Sequence, residues 1–215
     1  NYEQDLTVTI GSSTSGITGV EGFTGYREDS VGSAYKRTLI GRDANSTWVL
    51  RDTGDSTDGV NDGAYTQGEE TYGFNNFDTL VGGNKNDNFI FEGVATVTGG
   101  IEGGEGTNTI STTGTTVAQR IQVGGDVDGN TNITNISEIV DTSSSDLMHT
   151  LVASAGQDNT FTLNGEGQGN LNGDLMFANI ANLIGGDKND TFVLTGAGDV
   201  RGVMNGGAGT LDRVD

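Results

Sequence analysis

The sequence predicts an all-β chain: a right-handed parallel β-solenoid with coils of about 21 residues and almost no helix. Three observations point there. One phrase is written three times, as LIGRDANSTWVL (Leu39–Leu50), LVGGNKNDNFIF (Leu80–Phe91) and LIGGDKNDTFVL (Leu183–Leu194). Apolar residues alternate with polar ones in short runs, which is the period of a half-buried strand. Glycine is 37 of 215 residues and proline is 0, a composition of many tight turns between short strands.

Taken in order, DLTVTI opens the chain with Leu6, Val8 and Ile10 on one face and Thr7 and Thr9 on the other. Thr and Val favour the pleated surface. GITGVEGFTG (Gly16–Gly25) follows, then the first copy of the phrase, in which Trp48 and Leu50 alternate with Val49. Arg51–Gly63 is an acidic glycine loop, and Tyr65 and Tyr72 lie in the least repeat-like part. From Phe74 to Thr109 the chain lies over Phe177–Asp212 without a gap at an offset of 103 residues. Phe74/Phe177, Asn76/Asn179, Leu80/Leu183, Asp87/Asp190 and Phe89/Phe192 are identical pairs in that overlay. The first halves match less closely: Ile17, Val20 and Phe23 lie over Ile133, Ile136 and Ile139, and STWVL over NTFTL (Asn159–Leu163). Two units result, residues 1–112 and 113–215, forming one continuous rod.

A finer step of 21 residues runs inside each unit, from Gly82-Gly83 to Gly103-Gly104, from Leu80 to Ile101 and from Phe89 to Ile110. Leu39 to Leu80 is 41 residues, close to two such steps. One coil buries only a handful of side chains at roughly 1.5–3 kcal/mol each. Ordering its backbone costs about 1–2 kcal/mol per residue. A single coil therefore cannot fold alone, whereas stacked coils pair every strand and share one apolar column. Each copy of the phrase is then one rung.

Composition excludes several classes. Net charge is −20 with only 10 Lys and Arg, so neither nucleic acid nor an anionic membrane surface is an expected partner. So much carboxylate calls for screening by salt or by a cation such as calcium. With 0 cysteines there is no disulfide and no thiolate metal site. No apolar run approaches the ~18 residues of a membrane helix. No secretion signal stands at Asn1, and the chain begins and stops in mid-pattern, which suggests a piece of something longer.

The phrases GGNKNDNFI (Gly82–Ile90) and GGDKNDTFV (Gly185–Val193) resemble the nonapeptide G-G-x-G-x-D-x-U-x of RTX-type, or haemolysin-type, calcium repeats. GGEGTNTIS (Gly103–Ser111) fits with Asn108 in place of Asp, and GGAGTLDRV (Gly206–Val214) with Asp212 one place late. The resemblance implies a parallel β-roll holding Ca2+ in its turns, with Asp87 facing Asn108 and Asp190 facing Asp212. Lys85 and Lys188 stand where the motif has glycine, and the nonapeptides are not tandem. The alternative is that Gly-Gly makes the turn and Asn or Asp caps it through side-chain to backbone hydrogen bonds. The motif order along nearly the whole chain is similar to the long repeats of giant bacterial surface adhesins, the haemagglutinin-like and RTX-adhesin-like β-strand-repeat group. That resemblance implies secretion, display at the cell surface, and a role in adhesion or in filament and biofilm-matrix building.

Other candidates are weaker. DVDGNTN places Asp126, Asp128, Asn130 and Asn132 at alternate positions, as an EF-hand loop begins, but Gly129 and Glu138 are out of step. Asp52, Asp55, Asp58 and Asp62 make a second acidic loop, read as a solvated one. His149, the single histidine, reads as a surface-loop residue, and no serine sits in a nucleophile-elbow setting. Catalysis is not expected; paired acids on a β-helix that cleaves polysaccharide are the enzymatic alternative. Trp48 reads as a core rung, and Tyr26, Tyr35, Tyr65 and Tyr72 as surface aromatics able to stack on a surface polysaccharide. The closing AGTLDRVD carries no polar cap, so its strand edges should meet another copy or the next repeat end to end.

Overall fold

The computed structural model describes residues 5–11, 22–24, 36–51, 61–124, 131–142 and 146–215. Among these residues there is no helix, and all regular structure is strand. Hence no helix there is long and apolar enough to cross a membrane. The strands in chain order are β1 (Leu6–Thr9), β2 (Gly22–Thr24), β3 (Arg37–Ile40), β4 (Ser46–Leu50), β5 (Gly63–Gln67), β6 (Glu70–Asn75), β7 (Thr79–Val81), β8 (Asp87–Gly93), β9 (Gly100–Glu102) and β10 (Thr109–Thr115). After β11 (Arg120–Val123) and β12 (Thr131–Thr134) come β13 (Glu138–Val140), β14 (Thr150–Val152), β15 (Thr160–Gly165), β16 (Gln168–Leu171), β17 (Leu175–Ala178), β18 (Asn182–Ile184), β19 (Thr191–Leu194), β20 (Met204–Asn205) and β21 (Arg213–Val214).

They form two sheets. The 9-stranded sheet runs β1-β3-β7-β9-β12-β11-β14-β18-β20, and every pairing in it is parallel. The 12-stranded sheet runs β2-β6-β5-β4-β8-β10-β13-β17-β16-β15-β19-β21 and is mixed. Its register puts like on like: Leu39 pairs with Leu80 and Leu80 with Ile101 in the first sheet, Trp48 with Phe89 and Phe89 with Ile110 in the second. In the second half Leu151 pairs with Leu183, and Phe161 with Phe192.

Burial follows the pleat. In β4, Ser46, Trp48 and Leu50 are buried while Thr47 and Val49 are half-buried; in β8, Asp87, Phe89 and Phe91 are the buried set. Parallel neighbours lie about 4.8 Å apart, so side chains of equal kind stack. The rings of Trp48 and Phe89 stack at 5.6 Å and 18°, and those of Phe161 and Phe192 at 5.1 Å and 1°. One apolar cluster runs from Ile10 to Phe192 between the sheets.

Two expectations are corrected. The uniform parallel coil is broken in each half by an antiparallel meander, β4-β5-β6 and β15-β16-β17. Gly68 (φ 62°) opens the two-residue loop between β5 and β6, the glycine position that a type II′ hairpin favours. Asn172 (φ 56°) and Gly173 (φ 81°) turn β16 into β17. The 41-residue step from Leu39 to Leu80 is accordingly a single step between neighbouring strands, lengthened by the β5–β6 hairpin, since the two leucines pair directly. Tyr65, expected at the surface, lies inside that meander with 0% exposure and packs edge-on against Trp48 at 4.6 Å and 70°.

Candidate functional site

The sequence singled out the glycine-aspartate turns, and each is built from three consecutive rungs. In the first half the Asp87 carboxylate is turned inward and 2% exposed. Its Oδ2 accepts the Gly83 backbone N–H at 2.8 Å, and its Oδ1 accepts the Ser46 hydroxyl from the coil on one side. The Asp87 N–H donates to Oδ1 of Asn108 at 2.9 Å, on the coil on the other side. Asn108 is 0% exposed, and its amide donates to the carbonyls of Glu105 and Asn135, each at 3.1 Å.

The second half repeats the ladder with different residues. Oδ2 of Asp190 accepts the Gly186 N–H at 2.7 Å, while Oδ1 accepts both the backbone N–H and the side-chain amide of Asn159 at 2.8 Å. The Asp190 N–H donates to Oδ1 of Asp212 at 2.9 Å. Asp212, one place late in the motif, thus fills the role of Asn108 at a turn lengthened by one residue. Asp212 is exposed, whereas Asp87, Asn108 and Asp190 are buried.

The paired glycines are dictated by the closeness of neighbouring backbone segments. A Cβ on Gly82 would lie 2.2 Å from the Gly103 carbonyl oxygen and 2.4 Å from Asp87 Oδ2. A Cβ on Gly185 would lie 2.2 Å from the Gly206 oxygen. Glycine there lets the carboxylate lie against the turn. Burial pushes the Asp87 carboxyl up from its ordinary value, with the Ser46 and Gly83 hydrogen bonds opposing.

At Asp87 and Asp190 both carboxylate oxygens hold an N–H or O–H donor, as side-chain capping of a turn requires. Among the described residues, no group of three or more His, Asp or Glu side chains converges on a metal-sized position. Asp126, Asp128 and Asn130 lie outside the described residues, as do Asp52, Asp55 and Asp58. Asn132 belongs to β12, where its Oδ1 is buried without a hydrogen-bond partner. Asp62 is buried and accepts the Asn76 N–H at 3.0 Å, so it is no part of a solvated loop.

Sequence reasoning missed two polar clusters and misplaced a third residue. Arg37 grips Asp78 through Nε at 2.9 Å and Nη2 at 2.7 Å, and the Arg37 N–H donates to the same carboxylate at 3.0 Å. Arg42 reaches into the first meander: it bonds Gln67 Oε1 at 2.9 Å, the Tyr72 hydroxyl at 2.8 Å and the Glu70 carboxylate, and its backbone N–H donates to the Tyr65 hydroxyl at 3.1 Å. His149 is not on the surface but 0% exposed. Its Nδ1 accepts the Gln119 N–H at 3.0 Å, and its Nε2 lies 3.4 Å from Asp141 Oδ2. The only advance signal for these partners was residue type, because all of them except Asp141 lie 23 to 41 positions away. A shallow cavity of ≈ 280 Å³ lies beside β12 and the second meander, lined among others by Asn135, Gln157, Asn172 and Asp174.

No family model, curated protein or solved structure matches the chain.

Proposed function

We propose that the chain is a structural repeat segment, closed as a right-handed β-solenoid rod, of a large extracellular bacterial adhesin or surface filament. One observation carries the reading. The strand order β2-β6-β5-β4-β8-β10 of the first half recurs as β13-β17-β16-β15-β19-β21 in the second, and β3-β7-β9 recurs as β14-β18-β20. A catalytic site is needed once, whereas a spacer gains length with every copy. The proposal gives the buried acids a structural role as rung caps and assigns no catalytic centre. Surface polysaccharide and further copies of the same repeat are the partners it names, and Ca2+ is the cofactor that the nonapeptides would take. At Asp87 and Asp190 the ion would compete with backbone N–H donors for the same oxygens.

The test is made on the source cells and on coated beads. Protease added to intact cells should remove the protein, and beads carrying the chain should bind each other or a polysaccharide film. Protection from protease, with beads that bind neither, would contradict the reading.

A further inference from the structure

Resting on that reading, we infer that β21 of one chain pairs in parallel with β2 of a second copy, at the register by which β10 pairs with β13 inside the molecule. The internal joint is the template. There, Thr109, Ile110 and Ser111 of β10 face Glu138, Ile139 and Val140 of β13. Ile110 is 0% exposed beneath this neighbour.

Each side of the joint has a counterpart at an edge of the same sheet. Val214 occupies the place of Ile110, since Val214 pairs with Phe192 as Ile110 pairs with Phe89. Phe23 occupies the place of Ile139, since Phe23 pairs with Phe74 as Ile139 pairs with Phe177. Among the described residues, β21 and β2 are the two edge strands of the 12-stranded sheet. Val214 is 57% exposed and its neighbour Leu211 72%, against complete burial of Ile110 at the equivalent rung. The two edges are therefore the separated halves of a joint that the chain already makes once. Superposing the templates sets Arg213, Val214 and Asp215 opposite Gly22, Phe23 and Thr24 of the next copy. The contact is head-to-tail, and among the described residues β2 of the first copy and β21 of the second are again edges, so the same joint can repeat into a filament.

Two variants test this. Because the chain holds 0 cysteines, the pair Thr24→Cys and Asp215→Cys reports the register alone. Parallel neighbours about 4.8 Å apart fall within disulfide reach. Mild oxidation should give a ladder of cross-linked multimers, while the control pair Asp5→Cys with Asp215→Cys stays free of cross-links on a denaturing gel. Val214→Asp places a charge on the exposed edge; sedimentation should show self-association weakened roughly tenfold or more with the melting temperature unchanged. A parent chain monomeric at every concentration would overturn the joint. So would multimers that Val214→Asp leaves intact, or equal cross-linking by the control pair. A monomer whose tandem fusions still lengthen regularly would remove the joint and leave the rod standing. Fusions that fail to lengthen would remove the rod itself.

Discussion

Asp87 and Asp190, which resemble metal ligands in sequence, accept donors from their own turns and from neighbouring strands in the structure. Each closes a Gly-Gly corner through Oδ2 and ties in a neighbouring strand through Oδ1. Asp87→Ala leaves the Gly83 N–H and Ser46 hydroxyl without that acceptor and should lower stability by about 1–3 kcal/mol in denaturant unfolding. Asp87→Asn keeps an acceptor for Gly83 and offers an amide to Ser46, so it should lose much less. Melting in chelator and then in millimolar calcium should show no shift if capping is the whole role of these aspartates. A large upward shift would mean that the folded state binds the ion.

Two buried groups, His149 and Asp87, contribute to the pH dependence with opposite signs. Burial holds the His149 imidazole below its ordinary 6.5, with Asp141 opposing and Arg201 adding to the effect. The unfolded chain then binds the proton more readily, so the stability tied to neutral His149 is present above the unfolded value and lost as pH falls through the folded one. Asp87 is raised instead, so its contribution is full below the ordinary 3.8 and lost as pH rises through its folded value. Unfolding titrations should therefore show stability falling as pH drops below about 6.5, and His149→Asn, which retains an acceptor for the Gln119 N–H, should flatten that fall. An unchanged slope in the variant would assign the acid loss elsewhere.

At the scale of the element, the parallel rungs were legible and the meanders were not. Leu39, Leu80, Trp48, Phe89, Phe161 and Phe192 were read as inward rungs, and they pair with one another in the sheets. The alternation that reveals a strand has period two whichever way the strand runs, so it could not separate a hairpin from a coil corner. The turn signals were present in TQGEETY and LNGDLMF, where glycine and Asn-Gly sit between short runs. Leu151 escaped notice because its TLVAS lacks the glycine pair that marks Leu80 and Leu183, although it fills the same column. His149 and Tyr65 were misplaced because burial comes from partners remote in sequence. Gly68→Val should destabilise the first hairpin by about 1–2 kcal/mol, the cost of a β-branched residue at positive φ. Trp48 is enclosed by Tyr65, Phe74 and Phe89, and Trp48→Ala should cost about 3–5 kcal/mol. Both are read as losses in chemical denaturation midpoint. A Trp48→Ala loss under about 1 kcal/mol would mean that the aromatic stack is not part of the core.

At the scale of the whole molecule, the repeated strand order explains the shared offset of 103 residues, and the shorter second meander explains why the offset differs in the first halves. Asn76 and Asn179, identical in the overlay, both hold positive φ, at 59° and 61°. The identity of the two halves is thus an identity of corners as well as of rungs. Strand pairs spaced about 4.8 Å apart make length additive, because each new unit adds its own strands to both sheets. The central claim, that one unit is stacked upon itself along a single axis, is tested most directly by small-angle scattering on fusions of one, two and three tandem copies of the 215-residue chain. The account predicts a constant cross-section and a maximum dimension that grows by roughly 50 Å with each copy. A dimension that grows more slowly while the cross-section widens would mean that the units fold into separate globules, and would contradict it.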